Sequence, residues 1–222
     1  LAKDVKKDEA IYQVLKKYIA ESKKIRFEGN GYGEEWVKEA AKRGLSNIKT
    51  TPDALDAMVS KKTLDLYAKH NILSHREMEA RHEIALETYT KKIQIESRVI
   101  GDLAINHIIP TAIKYQNLLI QNVEGLKSIF APAEFKKVSE TQTGMIVEIS
   151  EHIAKITLGV EKMINERKKA NKLDAGKKQA VAYCENVKPC FDIIRYHVDK
   201  LELLVDDEAW PLPKYRELLF TK

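Results

Sequence analysis

One stretch limits what this chain can become. From His75 to about Phe130 the apolar residues recur every three or four positions, not every two, and Pro110 is the only proline among them. Ile93, Ile100, Leu103 and Ile109 lead up to the proline, and Ile113, Leu118, Leu119 and Leu126 continue past it. A straight helix of that length would be about 84 Å long. Proline supplies no N–H to the helical ladder and crowds the carbonyl four residues back, so a kink or short break is expected just before Pro110. Because the stripe resumes, a kink is favoured over a true turn. The start is marked by Ser74-His75-Arg76-Glu77, a capping box in which the serine hydroxyl serves the amide three residues on and the glutamate reaches back.

The rest of the chain reads the same way, with strand signals nearly absent. Val5, Tyr12, Leu15 and Ile19 mark one face of a first helix over about Asp4 to Lys23. A short helix is expected from Glu34 to Arg43, stopped by Gly44 as a C′ glycine. Thr51 is the expected cap, with Pro52 at the first helical position, for a helix to Lys69 broken near Ser60. Beyond the Ala131-Pro132-Ala133 loop, a second long helix runs to Lys169, loosened at Gly144, with Val138, Met145, Ile149, Ile153, Ile156, Val160 and Met163 on its face. Asp174 is the expected cap of a third, bent at Pro189 and ending near Val205, with Phe191, Ile194, Val198 and Leu201 in its stripe. A last short helix falls near Pro213 to Phe220. The expected fold is all-α: an antiparallel bundle of three long, proline-kinked helices over residues 73–222, preceded by a helical connector over residues 1–72.

Composition narrows the functional classes. The 222 residues are 44% hydrophobic and 32% charged, enough to bury a core and too apolar for disorder. The net charge of +5 arises from 38 basic and 33 acidic residues, a near balance that argues against nucleic acid as a partner. No apolar run approaches the roughly 20 residues that span a bilayer, so no membrane partner is expected. Cys184 and Cys190 have neither zinc-knuckle nor redox-pair spacing, and free thiols in a reducing cytoplasm are expected. Starting at Leu1 rather than Met, the chain is expected to be a piece of something longer.

Candidate sites are few. The loop Gly29-Asn30-Gly31-Tyr32-Gly33 could cradle a phosphate, but it follows a helix, lacks G-x-G-x-x-G spacing, and leads into Glu34 and Glu35, which repel an anion. A tight turn with glycines in left-handed backbone positions is the plainer reading. His75, Glu79 and His82 share a helical face with E-x-x-H spacing, and are the metal candidates of the chain. No second copy of that motif exists; Glu148 and His152 at i, i+4 fit less well, and a solvated helix start is the plainer reading. Asn106 and His107 are expected to serve carbonyls freed by Pro110. Arg167-Lys168-Lys169 and Lys177-Lys178 read as a solvated basic linker. No nucleophile or catalytic set is recognisable. The tail is densely apolar, and Trp210, Leu212, Tyr215, Leu219 and Phe220 are interaction candidates, docking on their own bundle or on a partner.

Four stretches together resemble the C-terminal region of the type III glutamine synthetases, of the glutamate–ammonia ligase superfamily. They are RFEGNGYGEEWVKEAAKRGLSN (26–47), the Thr51-Pro52-Asp53-Ala54-Leu55 start, EARHEIALETYTKKIQIESRVIGDLAINHIIPTAIKYQNLL (79–119) and DDEAWPLPKYRELLF (206–220). The resemblance covers almost the whole chain. It implies a parent enzyme that joins glutamate and ammonia using ATP and Mg2+ or Mn2+, built as an oligomer of hexameric rings. The parent's metal-binding glutamates, nucleotide loop and substrate-binding arginines belong upstream, so no catalytic residue and no cofactor carries over. The implied partners are an upstream catalytic domain and neighbouring subunits, and the implied role is structural, oligomer-shaping or regulatory. The alternatives from the residues themselves are a free-standing helical interaction module acting through the apolar tail, and a metal-dependent bundle using His75, Glu79 and His82.

Overall fold

The computed structural model describes residues 6–220, without the side chains of Tyr215 and Arg216. Asp4 and Val5, at the expected start of the first helix, lie outside the described residues, as does the Tyr215 side chain. Every regular element among the described residues is helical, so the all-α expectation holds. No helix there is long and apolar enough to cross a membrane. Contacts divide the chain into two units, one ending at Lys49 and the other beginning at Thr50. The sequence-based boundary after residue 72 lies inside the second unit, because the short helices after Thr50 pack on the helix that His75 opens.

In the first unit, helix α1 (Lys7–Glu21) runs into a 3-10 turn, Ser22–Ile25. The stripe of Tyr12, Leu15 and Ile19 is present but buries nothing, for α1 has no buried residue. Helix α2 (Glu34–Lys42) starts on Gly33 and ends as expected at Gly44. There φ is +71°, and Leu45 N–H bonds Ala40 O at 2.9 Å while Gly44 N–H bonds Ala41 O at 3.0 Å, a Schellman close.

The second unit opens with three short pieces. In α3 (Thr51–Leu55) the cap is Thr50, one residue earlier than expected, accepting from Asp53 N–H at 3.4 Å; Pro52 lies in the first turn and is buried. A 3-10 turn, Asp56–Val59, follows, and Ser60 caps α4 (Lys61–Lys69), so the expected break at Ser60 is real. Ser74 and Glu77 form the expected capping box at the head of α5 (His75–Asp102), and the two bonds to Ser74 hold the Glu77 carboxyl below its ordinary pKa.

Three long rods make up the remainder. In the first, α5 passes through a π-helical turn, Leu103–Ile108, into α6 (Ile109–Ile129). Pro110 cannot donate to Asn106, and its ring crowds that carbonyl; a wider turn relieves the crowding without breaking the rod. Ile109 N–H accordingly bonds Ala104 O, five residues back. The second rod is α7 (Pro132–Ala170), continuous through Gly144, where loosening was expected. In the third, α8 (Lys177–Ala182) leads through another π turn, Tyr183–Val187, to α9 (Pro189–Leu204), so Pro189 is met by the same device as Pro110. Asp174 does not cap this rod. Gly176 does, at φ +101°, a backbone conformation that side chains resist.

The core lies where the rods meet, with Ile149, Ile156, Val160 and Met163 of α7 against Tyr183, Val187, Cys190, Ile194 and Leu201 of the third rod and Ala104, Ile108 and Ala112 of the first. Polar pins set the register. Gln116 Nε2 donates to Ile146 O at 2.7 Å and Ser150 Oγ at 2.6 Å, while Gln94 Nε2 and Tyr183 OH both donate to Asn171 Oδ1, at 3.2 and 2.6 Å. Burial raises the pKa of the Tyr183 hydroxyl.

Candidate functional site

The glycine loop is built around an aromatic stack. Phe27 lies on Trp36 with ring centroids 4.6 Å apart. A Cβ on Gly29 would stand 2.9 Å from the Phe27 ring, so this glycine makes room for the stack. Asn30 forms the turn: its carbonyl accepts from Gly33 N–H and its Oδ1 from Tyr32 N–H, both at 3.0 Å. Those two amides are therefore already engaged, and are not offered to an anion. The expectation of left-handed glycines here fails, since among the described residues only Gly44 and Gly176 have positive-φ glycine backbones. Compactness comes instead from Arg43. Its Nη1 donates to Arg26 O at 2.6 Å and Lys23 O at 3.2 Å, its Nε to Glu39 Oε1 at 2.8 Å, and its guanidinium lies 5.5 Å from the Trp36 ring centre. The bond from Arg43 holds the Glu39 carboxyl below its usual pKa.

The metal candidates turn to different partners. His75 Nε2 stands 3.8 Å from Asp65 Oδ1, His82 Nε2 stands 3.3 Å from Asp56 Oδ1, and Glu79 is exposed. Among the described residues no group of three or more His, Cys, Asp or Glu is placed to hold a metal ion. Asn106 and His107 are both exposed on the π turn, and Asn106 Nδ2 donates to Asp102 Oδ1 at 2.5 Å. They serve no freed carbonyl in a buried setting, because the wider turn already rebonds the backbone.

The basic linker is not simply solvated. Lys177 Nζ donates to Pro52 O and Asp53 Oδ1 at 2.8 Å and to Asp56 Oδ2 at 2.9 Å, tying the third rod to α3. Burial lowers the Lys177 pKa, but its two carboxylate bonds more than offset this and leave it raised. Asp53 is lowered, chiefly by Lys177 and then by the Thr50 hydroxyl. A surface hollow of about 680 Å³ lies beside this knot, bordered by His82, Glu83, Glu87 and Lys177. Arg167 also departs from the expectation, with its Nη1 buried. The tail divides: Trp210 is buried and Leu212 packs on the core, whereas Leu219 and Phe220 are exposed.

Sequence reasoning passed over one contact. His152 of α7 meets His197 of α9, Nδ1 to Nδ1 at 2.9 Å with ring centroids 5.2 Å apart. The available signal was His197 falling three residues after Ile194 and four before Leu201, on the stripe itself.

None of these arrangements joins a nucleophile to a base or gathers cationic clamps for a phosphoryl group. A family model described as the glutamine synthetase C-terminal domain matches residues 10–127, more than half of the chain. The chain belongs to the glutamine synthetase C-terminal domain family. Relatives extend the likeness over almost the whole chain. The glutamine synthetase of Bacteroides fragilis (strain YCH46) is 49% identical over 216 residues, covering 97% of this chain and 30% of that protein. The type-3 glutamine synthetase of Dictyostelium discoideum is 29% identical over 213 residues, covering 96% of this chain and 29% of that protein. A glutamine synthetase of Butyrivibrio fibrisolvens is 30% identical over 213 residues. The chain thus spans about three tenths of the length of the curated relatives it matches.

Proposed function

We propose that this chain is the non-catalytic C-terminal helical domain of a type III glutamine synthetase, and that its rods, stacked as an antiparallel bundle, pack on an upstream catalytic domain and shape the oligomer or transmit regulation to it. The observation that carries this reading is the family match over residues 10–127, set beside relatives more than three times as long. The parent reaction would be the ATP-dependent condensation of glutamate with ammonia, with Mg2+ or Mn2+. Phosphoryl transfer to glutamate needs metal ligands and cationic groups around the γ-phosphate, preorganised where charge develops. His75, His82, Lys177 and Arg43 engage Asp65, Asp56, Asp53 and Glu39, so we assign neither ATP nor the ion a site on this chain and derive no step through them. The free thiols of Cys184 and Cys190 fit a reducing, cytoplasmic setting.

The test compares this chain with a longer protein that contains it, using glutamate, ammonia, ATP and Mg2+. The longer protein is expected to form glutamine and the 222-residue chain none. Glutamine from the short chain overturns the non-catalytic role; none from the long one overturns the parent reaction. A second reading, a helical interaction module that acts alone, is favoured by the exposed Leu218, Leu219 and Phe220 at the end of the tail. An open reading frame with no catalytic region ahead of this chain would decide for it.

A further inference from the structure

The His152–His197 contact lies on the seam between α7 and α9, one of the main packing seams of the second unit. Only 14% of the His152 side chain is exposed, and His197 is half-buried. At 2.9 Å the two Nδ1 atoms share one hydrogen: one ring donates through it and the other must offer a lone pair. The arrangement accepts two neutral rings, or one charged ring donating to one neutral ring. It has no place for two charged rings, because a second proton removes the acceptor and sets like charges in contact in a partly desolvated seam.

The surroundings leave the pair unevenly compensated. On α7, Glu148 Oε1 stands 3.7 Å from His152 Nε2, and Lys155 adds a positive charge one turn on. On α9, Tyr196 meets His197 edge-on at 5.0 Å, and Lys200 lies over Tyr196 at 5.6 Å. From α6 the uncharged Gln116 reaches Ser150, two residues before His152. One carboxylate thus faces the pair, on the side of His152, while lysines flank the side of His197.

We propose that His152 and His197 form a proton-operated clasp between α7 and α9, closed while at most one ring is protonated and opened by the second proton. The direction of His197 agrees: burial first, then His152 and Lys155, lower its pKa from the ordinary 6.5. The unfolded chain therefore takes up that proton more readily than the folded one. Stability from the closed clasp is full above the ordinary imidazole range and is lost as the pH falls through the folded pKa of His197. The clasp does not depend on which reaction a longer protein carries out.

The experiment is thermal unfolding of the whole 222-residue chain at about pH 7.5 and about pH 5.5, beside His197→Asn, whose amide can keep one hydrogen bond without titrating. Between the two conditions the midpoint of the wild type is expected to fall by about 2–4 °C more than that of the variant. Equal falls overturn the clasp. If His197→Asn does not fold, imidazole NMR of the unaltered chain decides. Two linked titration steps support the proposal; two independent steps overturn it.

Discussion

Helices α1 and α7 carry apolar stripes of the same spacing, yet only one of the two is buried. In α7, Ile149, Ile156, Val160 and Met163 are sealed from solvent, because α6 and the first rod's π turn lie against one side and α9 against another. In α1, Ile11, Tyr12, Leu15, Tyr18 and Ile19 are each about half exposed or more. The stripe in a sequence identifies which face is apolar. It does not identify what covers that face, because cover is a property of a second surface. Most helical stability comes from such packing rather than from propensity, so the two helices contribute very differently to the described fold.

Mutation offers direct ways to break that contrast. The largest effect is expected at Ile156, fully buried on α7. Ile156→Ala is expected to cost about 2–5 kcal/mol in urea unfolding through lost transfer energy and a residual cavity. The matching truncation on α1, Leu15→Ala, is expected to stay within about 0.5 kcal/mol. A large loss at Leu15 in this chain would mean that its stripe is covered after all.

A smaller effect is expected at the polar tie of the second unit. Lys177→Ala removes three hydrogen bonds to α3 and its neighbour at a partly exposed site, and is expected to lower the melting midpoint by about 2–4 °C. Lys178→Ala, exposed beside it, serves as the control and is expected to move the midpoint little. Because Asp53 is lowered by Lys177, the tie is complete above the ordinary carboxylate range and fades as the pH falls through the folded pKa of Asp53. Wild type and Lys177→Ala should therefore converge in acid, and a gap that persists there would show the tie to be packing rather than charge.

The smallest effects are expected in the first unit. Gly29→Ala pushes on the Phe27 ring and is expected to shift Trp36 fluorescence, at a cost of about 1 kcal/mol. Gly31→Ala, with nothing within 4 Å of the added carbon, is expected to leave both unchanged.

Much of this architecture was legible in the residues, and what escaped had physical reasons. The Ser74–Glu77 capping box, the Gly44 stop, the break at Ser60 and the continuity across Pro110 all follow from local rules about orphaned amides and carbonyls, so short segments suffice to read them. The cap at Gly176 was missed because Asp174 is the better cap by residue type, and only the path of the backbone asks for a left-handed residue two positions on. Lys177 was read as solvent-facing because its partners, Pro52, Asp53 and Asp56, lie more than a hundred residues away. The His152–His197 contact escaped because its two rings sit 45 residues apart, on different helices. The glycine loop was misread in kind: the glycines were credited with unusual backbone angles, whereas Gly29 answers to a side chain, Phe27, brought back by the stack on Trp36. As for function, spacing alone reached only an all-α fold, and the wording of four stretches supplied the family.

The two π turns have a consequence for how this chain could be altered. Each absorbs an additional residue into a helix without interrupting it, so each acts as a counting device. The buried positions Ala104, Ile108 and Ala112 step by four on either side of Pro110, a stride longer than the 3.6 of an α-helix. Deleting one residue between Leu103 and Ile108 would let the turn close to ordinary pitch and leave what lies beyond facing much as before, at the local cost of crowding Pro110 against the carbonyl four residues back, whereas the same deletion inside α7 would rotate everything beyond it by about 100° about the axis. Tyr115 and Leu119 of α6 would keep their place against the core. The loss of one letter would be felt locally at the π turn, but along the whole remainder of the rod if it fell within α7.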